Sequence, residues 1–160
     1  MIKVKQSNAV SAYNVLKQIK TKELPAEVAI AIWKNVKVLK PIATSYEEAI
    51  KDFNKAIELN QNILAELQKK ETDEAAGKYT FTRTDNENRA KVTEYYSNAQ
   101  NKLNAFIKDL DNKEVEIEHT TINEDDLIKA LIGTDFNIGV IELIDFLFED
   151  ATKADDKEDK

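Results

Sequence analysis

The sequence contains no cysteine and is poor in turn-forming residues, with three glycines and two prolines among 160 residues. Without cysteine it can form neither a disulfide framework nor a thiolate metal site, which agrees with a reducing compartment. So few glycines and prolines exclude a turn-rich β-sandwich or β-barrel and favour long helices joined by few loops. We therefore predict a mainly α fold.

Residues that carry chemistry are equally scarce. His119 is the single histidine, and no second histidine exists to complete a common zinc site. On an alternating strand His119 shares a face with Val115 and Ile117, which indicates a packed or edge residue rather than a general base. The chain has no phosphate-binding glycine loop and no nucleophile elbow. We predict no catalytic residues, no cofactor and no enzyme activity.

Two segments contain acidic residues of the kind that can bind a metal ion. Asp135, Asn137 and Gly139 resemble the start of a calcium loop, but the glycine comes one position early and Phe146 stands where a bidentate glutamate is needed. The acids at residues 124–126 are explained better by the positive end of a helix than by a metal ion. We predict no metal site.

Long apolar runs are absent too. No run approaches the roughly 20 apolar residues of a membrane span, and the N-terminus lacks an apolar segment of signal-peptide length. We expect a cytoplasmic protein without membrane contact, with one helical domain at residues 1–150. Residues 151–160 are predicted to form a disordered acidic tail.

What the sequence has in abundance is a heptad pattern over residues 25–70. Apolar residues recur there at alternating three- and four-residue spacing: Ala29, Ile32, Val36, Leu39, Ala43, Tyr46, Ile50, Phe53, Ile57, Leu64 and Leu67. A second row lies beside them at Val28, Ile42, Ala49, Ala56 and Ile63, so the apolar stripe is wide enough for two partner helices. Pro41 kinks this helix or ends it, with a new helix capped at Thr44 or Ser45. Because the spacing keeps its phase through Pro41, we favour a kinked continuous helix.

The pattern stops over residues 71–84 and returns in Val92, Tyr96, Ala99, Leu103, Phe106 and Leu110. This predicts an antiparallel helical hairpin whose tip is residues 71–84, with Thr84 or Asp85 capping the returning helix. If Lys70 lies opposite Asp85, then Asp111 lies opposite roughly residue 44. Tyr79, Phe81 and Arg83 fall in the tip, where the aromatic rings either fold back onto Leu67 or form an exposed contact site.

Two alternating segments flank the helices, at residues 2–6 and 115–121. The hairpin brings both to the same level, so we predict that they pair, with Lys3 and Lys5 across from Glu114, Glu116 or Glu118. A first short helix, capped by Ser7, follows the first strand. The predicted fold is therefore mainly α: an elongated helical bundle on a long antiparallel hairpin, with a small two-stranded sheet from the N-terminal strand and a strand near 114–121.

Two short helices are predicted after the second strand. Asn123 caps one over residues 124–132, which Gly133 ends. The other, over residues 137–149, has the apolar face Ile138, Ile141, Ile144, Leu147 and Phe148 but is apolar on most sides. Such a helix is either buried or a docking surface. From the tip and this helix we predict the partner-binding residues Tyr79, Phe81, Arg83, Ile141 and Phe148, and we place Trp33 over the base of the bundle.

Charge is unevenly distributed within a net charge of -7. Residues 1–40 hold eight lysines against two acids, and residues 112–160 hold five basic against fifteen acidic side chains. The simpler interpretation is that the two ends neutralise each other. A basic patch for nucleic acid is the alternative, and the absence of arginine and interleaved aromatic residues argues against it.

The order of these features resembles a family of small proteins encoded by bacteriophages and prophages of Gram-positive bacteria, a family defined as a domain of unknown function. The residues that carry the resemblance are Lys3-Val-Lys with Asn8 and Leu16, the heptad hairpin, the Glu114-Val-Glu-Ile-Glu strand, and Asp126-Leu127 before the last helix. It implies a phage origin, a place in the host bacterial cytosol or with the virion, and no known activity.

Two functions fit the sequence. The first is a non-enzymatic protein–protein interaction or assembly protein, such as a phage structural or accessory factor, which binds a protein partner or itself through the distal hairpin or the C-terminal helix. The second is a regulator of a host nucleic-acid process that acts through the lysine-rich N-terminal region.

Overall fold

The computed structural model describes residues 1–148, apart from the side chains of residues 56–61, 63, 64 and 96. The fold is mainly α with a small antiparallel sheet, as predicted. The elements in order are strand β1 (Ile2–Lys5), helix α1 (Gln6–Gln18), a 3₁₀ turn (Thr21–Glu23), helix α2 (Ala26–Ala75), helix α3 (Arg83–Asn112), strand β2 (Glu114–Ile117), helix α4 (Glu124–Leu131) and the C-terminal 3₁₀-helix (Ile138–Leu147). The tail predicted at residues 151–160 lies outside the described residues.

The chain packs as two compact units. Unit 1 comprises Met1–Tyr46 and the chain from Leu110 onward, and unit 2 comprises Glu47–Asp109. Helices α2 and α3 each contribute residues to both. The single domain predicted for residues 1–150 stays a prediction.

The sheet of unit 1 has the predicted pairing. Strands β1 and β2 are antiparallel, with Lys3 opposite Glu116 and Lys5 opposite Glu114. Lys3 Nζ lies 3.5 Å from Glu116 Oε1, but both side chains are exposed, so this ion pair adds at most about 1 kcal/mol. The charges therefore help to select the register, and the backbone ladder holds it.

Helix α1 begins without the predicted Ser7 cap. The strand runs directly into the helix at Gln6, whose N–H donates to the Lys113 carbonyl at 2.7 Å, so this group needs no side-chain partner. The Ser7 hydroxyl instead donates to the Asp111 carbonyl at 3.0 Å. The prediction was wrong because a partner from elsewhere in the chain replaced the cap.

Helix α2 is continuous through Pro41 and ends at Ala75, beyond the predicted end at residue 70. The alternative of a separate helix starting at Thr44 or Ser45 is wrong. The helix stops in a Schellman motif, in which Gly77 adopts a φ of 71°. Its N–H donates to the Glu74 carbonyl at 3.0 Å, and the Lys78 N–H donates to the Asp73 carbonyl at 2.7 Å.

One core holds unit 1 together. Helices α1, α2 and α4, strand β2 and the C-terminal 3₁₀-helix all contribute buried side chains, of which the largest are Leu16, Ile32, Leu39, Ile117, Ile122, Leu127, Ile144 and Leu147. On α2 the buried face includes Val28, Ile32 and Leu39. These share it with one polar residue, Asn35, which is 1% exposed.

Asn35 fastens the segment after β2 to α2. Its Nδ2 donates to the Thr120 carbonyl at 2.6 Å, and the Thr120 N–H donates to its Oδ1 at 2.8 Å. A signal for it was present in the sequence, because position 35 is the polar interruption of the row that runs from Val28 to Ile42. One amide thus satisfies both backbone groups of a residue that lies outside any strand.

Unit 2 is an antiparallel helical hairpin. Lys70 Nζ lies 3.3 Å from Asp85 Oδ1, as the predicted register requires, and Arg89 Nη1 lies 2.7 Å from Glu71 Oε1. The rings of Phe53 and Phe106 stack with centroids 4.9 Å apart. The wide stripe predicted beyond Phe53 depends largely on side chains outside the described set.

The register continues into unit 1, where the Tyr46 hydroxyl donates to Asp111 Oδ1 at 2.6 Å, two positions from the predicted partner. This bond to a carboxylate, together with desolvation, raises the pKa of Tyr46 to about 12.

After β2 the predicted Asn123 cap is confirmed: its side chain accepts from the Asp126 N–H at 2.9 Å, and Gly133 follows the helix with a φ of 86°. The last element differs from prediction, because a 3₁₀-helix replaces the α-helix expected over residues 137–149. The sequence contains the reason. A 3₁₀-helix has three residues per turn, and residues 138, 141, 144 and 147 are all Ile or Leu, so a strict three-residue repeat places them in one row.

Replacing Asn35 tests its role as a fastening. We expect Asn35→Ala to lower the free energy of unfolding by about 1–3 kcal/mol, because the Thr120 N–H and carbonyl lose their partner in a part-buried setting. Urea denaturation of the full chain measures this.

The matched control is Asn14→Ala, which makes the same change at an exposed position of α1. It reports the gain in helix propensity alone, which we expect to be at most about 0.7 kcal/mol and stabilising. Equal effects of the two substitutions would contradict a fastening role for Asn35.

Candidate interaction surface

The solvent-facing side of α2 in unit 1 carries two large apolar residues. Trp33 is 60% exposed and Ile30 is 53% exposed, and residues three apart are neighbours on a helix. The prediction that Trp33 covers the base of the bundle is wrong. Its neighbour Ile32 occupies the core instead. Trp33 follows one residue later on the helix, so its side chain points to solvent.

Three lysines lie on the same side of α2. Lys37 stands over the indole of Trp33, with Nζ 5.4 Å from the ring centroid, and Lys34 and Lys40 flank it. Among residues 1–148 none of these lysines forms an ion pair, and all three are exposed. We call Ile30, Trp33, Lys34, Lys37 and Lys40 the basic surface. Trp33 directly precedes Lys34 in the sequence, and the helix also places it beside Lys37, so an aromatic residue does lie among these lysines.

Neutralisation between the two ends of the chain is incomplete. Lys3 pairs with Glu116 at 3.5 Å, and Lys20 pairs with Asp135 at 3.7 Å. In the described part of the chain these are the ion pairs that join the first 40 residues to the segment after residue 111. Most lysines of the N-terminal region therefore form no ion pair with residues 112–148.

A second exposed surface lies on the C-terminal 3₁₀-helix. Because its side chains repeat every three residues, Val140, Leu143 and Phe146 form one row, and Glu142 and Asp145 lie in the row beside it. Leu143 is 42% exposed, Val140 and Phe146 are half-buried, and both acids are exposed. Neither acid has an ion-pair partner within residues 1–148. We call these five residues the acidic surface.

The C-terminal residues predicted to bind a partner lie elsewhere on this helix. Ile141 is 5% exposed and packs in the core, and Phe148 is half-buried beside Ile122, with which it forms a parallel bridge. Their contact with a partner stays a prediction. Neither residue belongs to the exposed apolar row of this helix, which consists of Val140, Leu143 and Phe146.

The predicted tip residues lie together in unit 2. The rings of Tyr79 and Phe81 meet edge to face with centroids 5.6 Å apart, and Arg89 Cζ lies 5.1 Å from the centroid of the Phe81 ring. Arg83 is exposed and pairs with Glu87 at 3.2 Å. Both aromatic rings are half-buried and occupied by neighbours of their own hairpin, so they offer little free apolar area. Partner binding there stays a prediction.

Asp85 organises this loop. Its carboxylate accepts from the Tyr79 hydroxyl at 2.5 Å, from the Thr82 N–H at 3.1 Å and from Lys70 at 3.3 Å. The Thr82 hydroxyl in turn accepts from the Asp85 N–H at 3.1 Å, which makes a capping box. The prediction that Thr84 or Asp85 caps the returning helix is wrong, because α3 begins at Arg83 and Thr82 is its cap. The bond from Tyr79, followed by that from Thr82, holds the pKa of Asp85 well below its usual range.

His119 is half-buried in unit 1, as predicted, but it lies two residues beyond the end of β2 at Ile117, so the strand predicted to reach about residue 121 is shorter than expected. Burial, followed by repulsion from the N-terminal ammonium, lowers its pKa. Its Nδ1 and the Oε1 of Gln6 are buried, and neither has a hydrogen-bond partner among residues 1–148. Across residues 1–148 no three His, Asp or Glu side chains come close enough to hold a metal ion. Nor does any helix in that range have the length and apolar character of a membrane span.

The chain was compared with models of known protein families, with curated proteins and with solved structures, and none of the three comparisons gives a match. The candidate site consequently depends on the geometry of this chain alone.

Removing the Tyr79 hydroxyl tests the loop network. The folded pKa of Asp85 is depressed, so its ionised carboxylate stabilises the loop at pH values above about 3.9, the pKa of an unfolded aspartate. This stability is lost as the pH falls through the folded pKa. We expect Tyr79→Phe to shift the Asp85 titration upward, toward that ordinary value.

An acid titration of the Asp85 carboxyl carbon by NMR measures the shift. The ring stays in place in this variant, so a change in midpoint reports the lost hydrogen bond rather than lost packing. An unchanged midpoint would refute the assignment of the depressed pKa to Tyr79.

Proposed function

We propose that this chain is a non-enzymatic interaction protein that binds a protein partner through the basic surface of α2. The observation that carries the proposal is the exposure of Trp33 beside Ile30. Tryptophan is among the residues that contribute most to protein interfaces, and a folded protein rarely leaves it open to water without a use.

The surroundings of Trp33 specify the chemistry of the partner. Lys34, Lys37 and Lys40 have no acidic partner within the described residues, so a bound protein that presents acids around an apolar contact would both cover Trp33 and neutralise the lysines. The cytoplasmic location and the phage accessory role expected from the sequence are part of this proposal.

Photo-crosslinking tests it in cells that make the protein naturally. A photoreactive amino acid in place of Ile30 lies next to Trp33 without removing it. We expect one product of defined mass at position 30, which disappears when Trp33→Ala or Lys34→Glu with Lys37→Glu is added. Loss of a central tryptophan commonly weakens binding roughly thirtyfold or more, that is, by about 2 kcal/mol or more.

The same reactive group in place of the exposed Asn14 on α1 is the control. Equal products at both positions, or products that survive both sets of substitutions, would count against the proposal. Because Trp33 is exposed, Trp33→Ala should melt close to the wild-type temperature, so lost crosslinking cannot be ascribed to unfolding.

A second candidate function follows from the same geometry. A tryptophan between lysines is the arrangement on which single-stranded nucleic acids stack, and it favours the regulator of nucleic-acid processes. It ranks second because the net charge of -7 repels a polyanion.

Trp33 is the one tryptophan of the chain, so its fluorescence reports on this surface directly. If nucleic acid binds, a thymidine oligonucleotide quenches Trp33 at low salt, the quenching fades as salt rises, and the variant Lys34→Glu with Lys37→Glu shows none. An unchanged signal at low salt would rule out direct binding at this surface.

A further inference from the structure

The structure holds two exposed surfaces of opposite character in unit 1. The basic surface joins Trp33 and Ile30 to three lysines, and the acidic surface joins Leu143 to Glu142 and Asp145. Each has an apolar centre with charges of one sign at its side. Neither set of charges is neutralised within the described chain.

We propose that the protein bound by the basic surface is a second copy of this chain, which contributes its acidic surface. This inference rests on the proposed function and names the partner. The charge complementarity of the two surfaces carries it, because the chain itself presents the acidic, apolar surface that the basic surface requires.

An exposed ion pair outside both surfaces joins the N-terminal and C-terminal regions within one chain. Lys20 of the N-terminal region pairs with Asp135 of the C-terminal region at 3.7 Å, while Lys34, Lys37, Glu142 and Asp145 have no such pair in residues 1–148. A second copy supplies both missing sets at once. It also covers Trp33 and Leu143, the most exposed apolar residues of their two surfaces.

The contact joins two different surfaces, which decides how an assembly grows. After one such contact, each chain of the pair still has one surface open. Either a rotation brings the two open surfaces together and closes a dimer, or further copies add. Both products contain the same contact.

Reversing the charges in a pair of full-length variants tests the proposal. The first variant carries Lys34→Glu and Lys37→Glu, and the second carries Glu142→Lys and Asp145→Lys. Each variant alone sets like charges against each other, so we expect its self-association to weaken roughly tenfold or more relative to wild type. An equimolar mixture sets opposite charges together again, and we expect it to associate like wild type.

Sedimentation velocity over a range of concentrations measures association. Trp33 fluorescence, which shifts to shorter wavelength when water leaves the ring, shows that this surface is involved. The mixture is its own control for folding, because a variant that failed to fold could not be rescued by the other. The matched control Lys22→Glu, at an exposed lysine outside both surfaces, should associate like wild type.

Three results would overturn the inference: a monomeric wild type at every concentration, variants that associate as wild type does, or a mixture that stays monomeric. The proposed function fails separately. A monomeric chain that still gives a crosslinked product with another protein at position 30 retains the proposed function and loses only the second copy as its partner.

Discussion

The pairing of β1 with β2 is the constraint on which the rest of unit 1 depends. It joins the first residues of the chain to residues 114–117, more than a hundred positions away. The chain between the two strands must therefore return to the sheet after leaving it. The Tyr46 hydroxyl on Asp111 and the Ser7 hydroxyl on the Asp111 carbonyl fix the point of return.

Polar groups fix positions in this fold that apolar packing leaves free. Leucine, isoleucine and alanine side chains can slide along a heptad face with little change in buried area. Asn35, by contrast, fixes the position and direction of one backbone segment, because its amide hydrogen-bonds both the N–H and the carbonyl of Thr120. Asp85 has the same effect in the hairpin loop, where three donors converge on one carboxylate.

Among residues 1–148 the charges of unit 1 are only partly paired. Lys3 and Lys20 pair with Glu116 and Asp135, whereas Lys34, Lys37 and Lys40 are exposed and form no ion pair in that range. The same face of α2 holds Trp33. This combination of an exposed aromatic ring and lysines without an acidic partner in residues 1–148 is what supports the proposed contact with another protein.

Local periodicity was enough to predict much of the fold. The three- and four-residue spacing gave α2 and α3 and their register, alternation gave both strands, and Asn123 marked the start of α4. The strict repeat of three over residues 138–147 also stood in the sequence. The pattern nevertheless predicts an α-helix, because residues three apart, such as Ile138 and Ile141, are also neighbours on an α-helix.

Tertiary structure decided which of several apolar rows is buried. On α2 two adjacent apolar rows are candidates for the core. The spacing of apolar residues does not show that the polar Asn35 is buried and the apolar Trp33 is exposed. Likewise the sequence showed that the last helix is apolar on most sides, but only its packing chose the Ile141 row for the core and left Leu143 exposed. The sequence by itself determined the two long helices and the order of the elements, because these follow from short-range periodicity. The strand pairing was predicted from the hairpin register and from the opposite charges of the two strands. The tertiary structure decided which surfaces are available to a partner, because these consist of the side chains that the core does not bury.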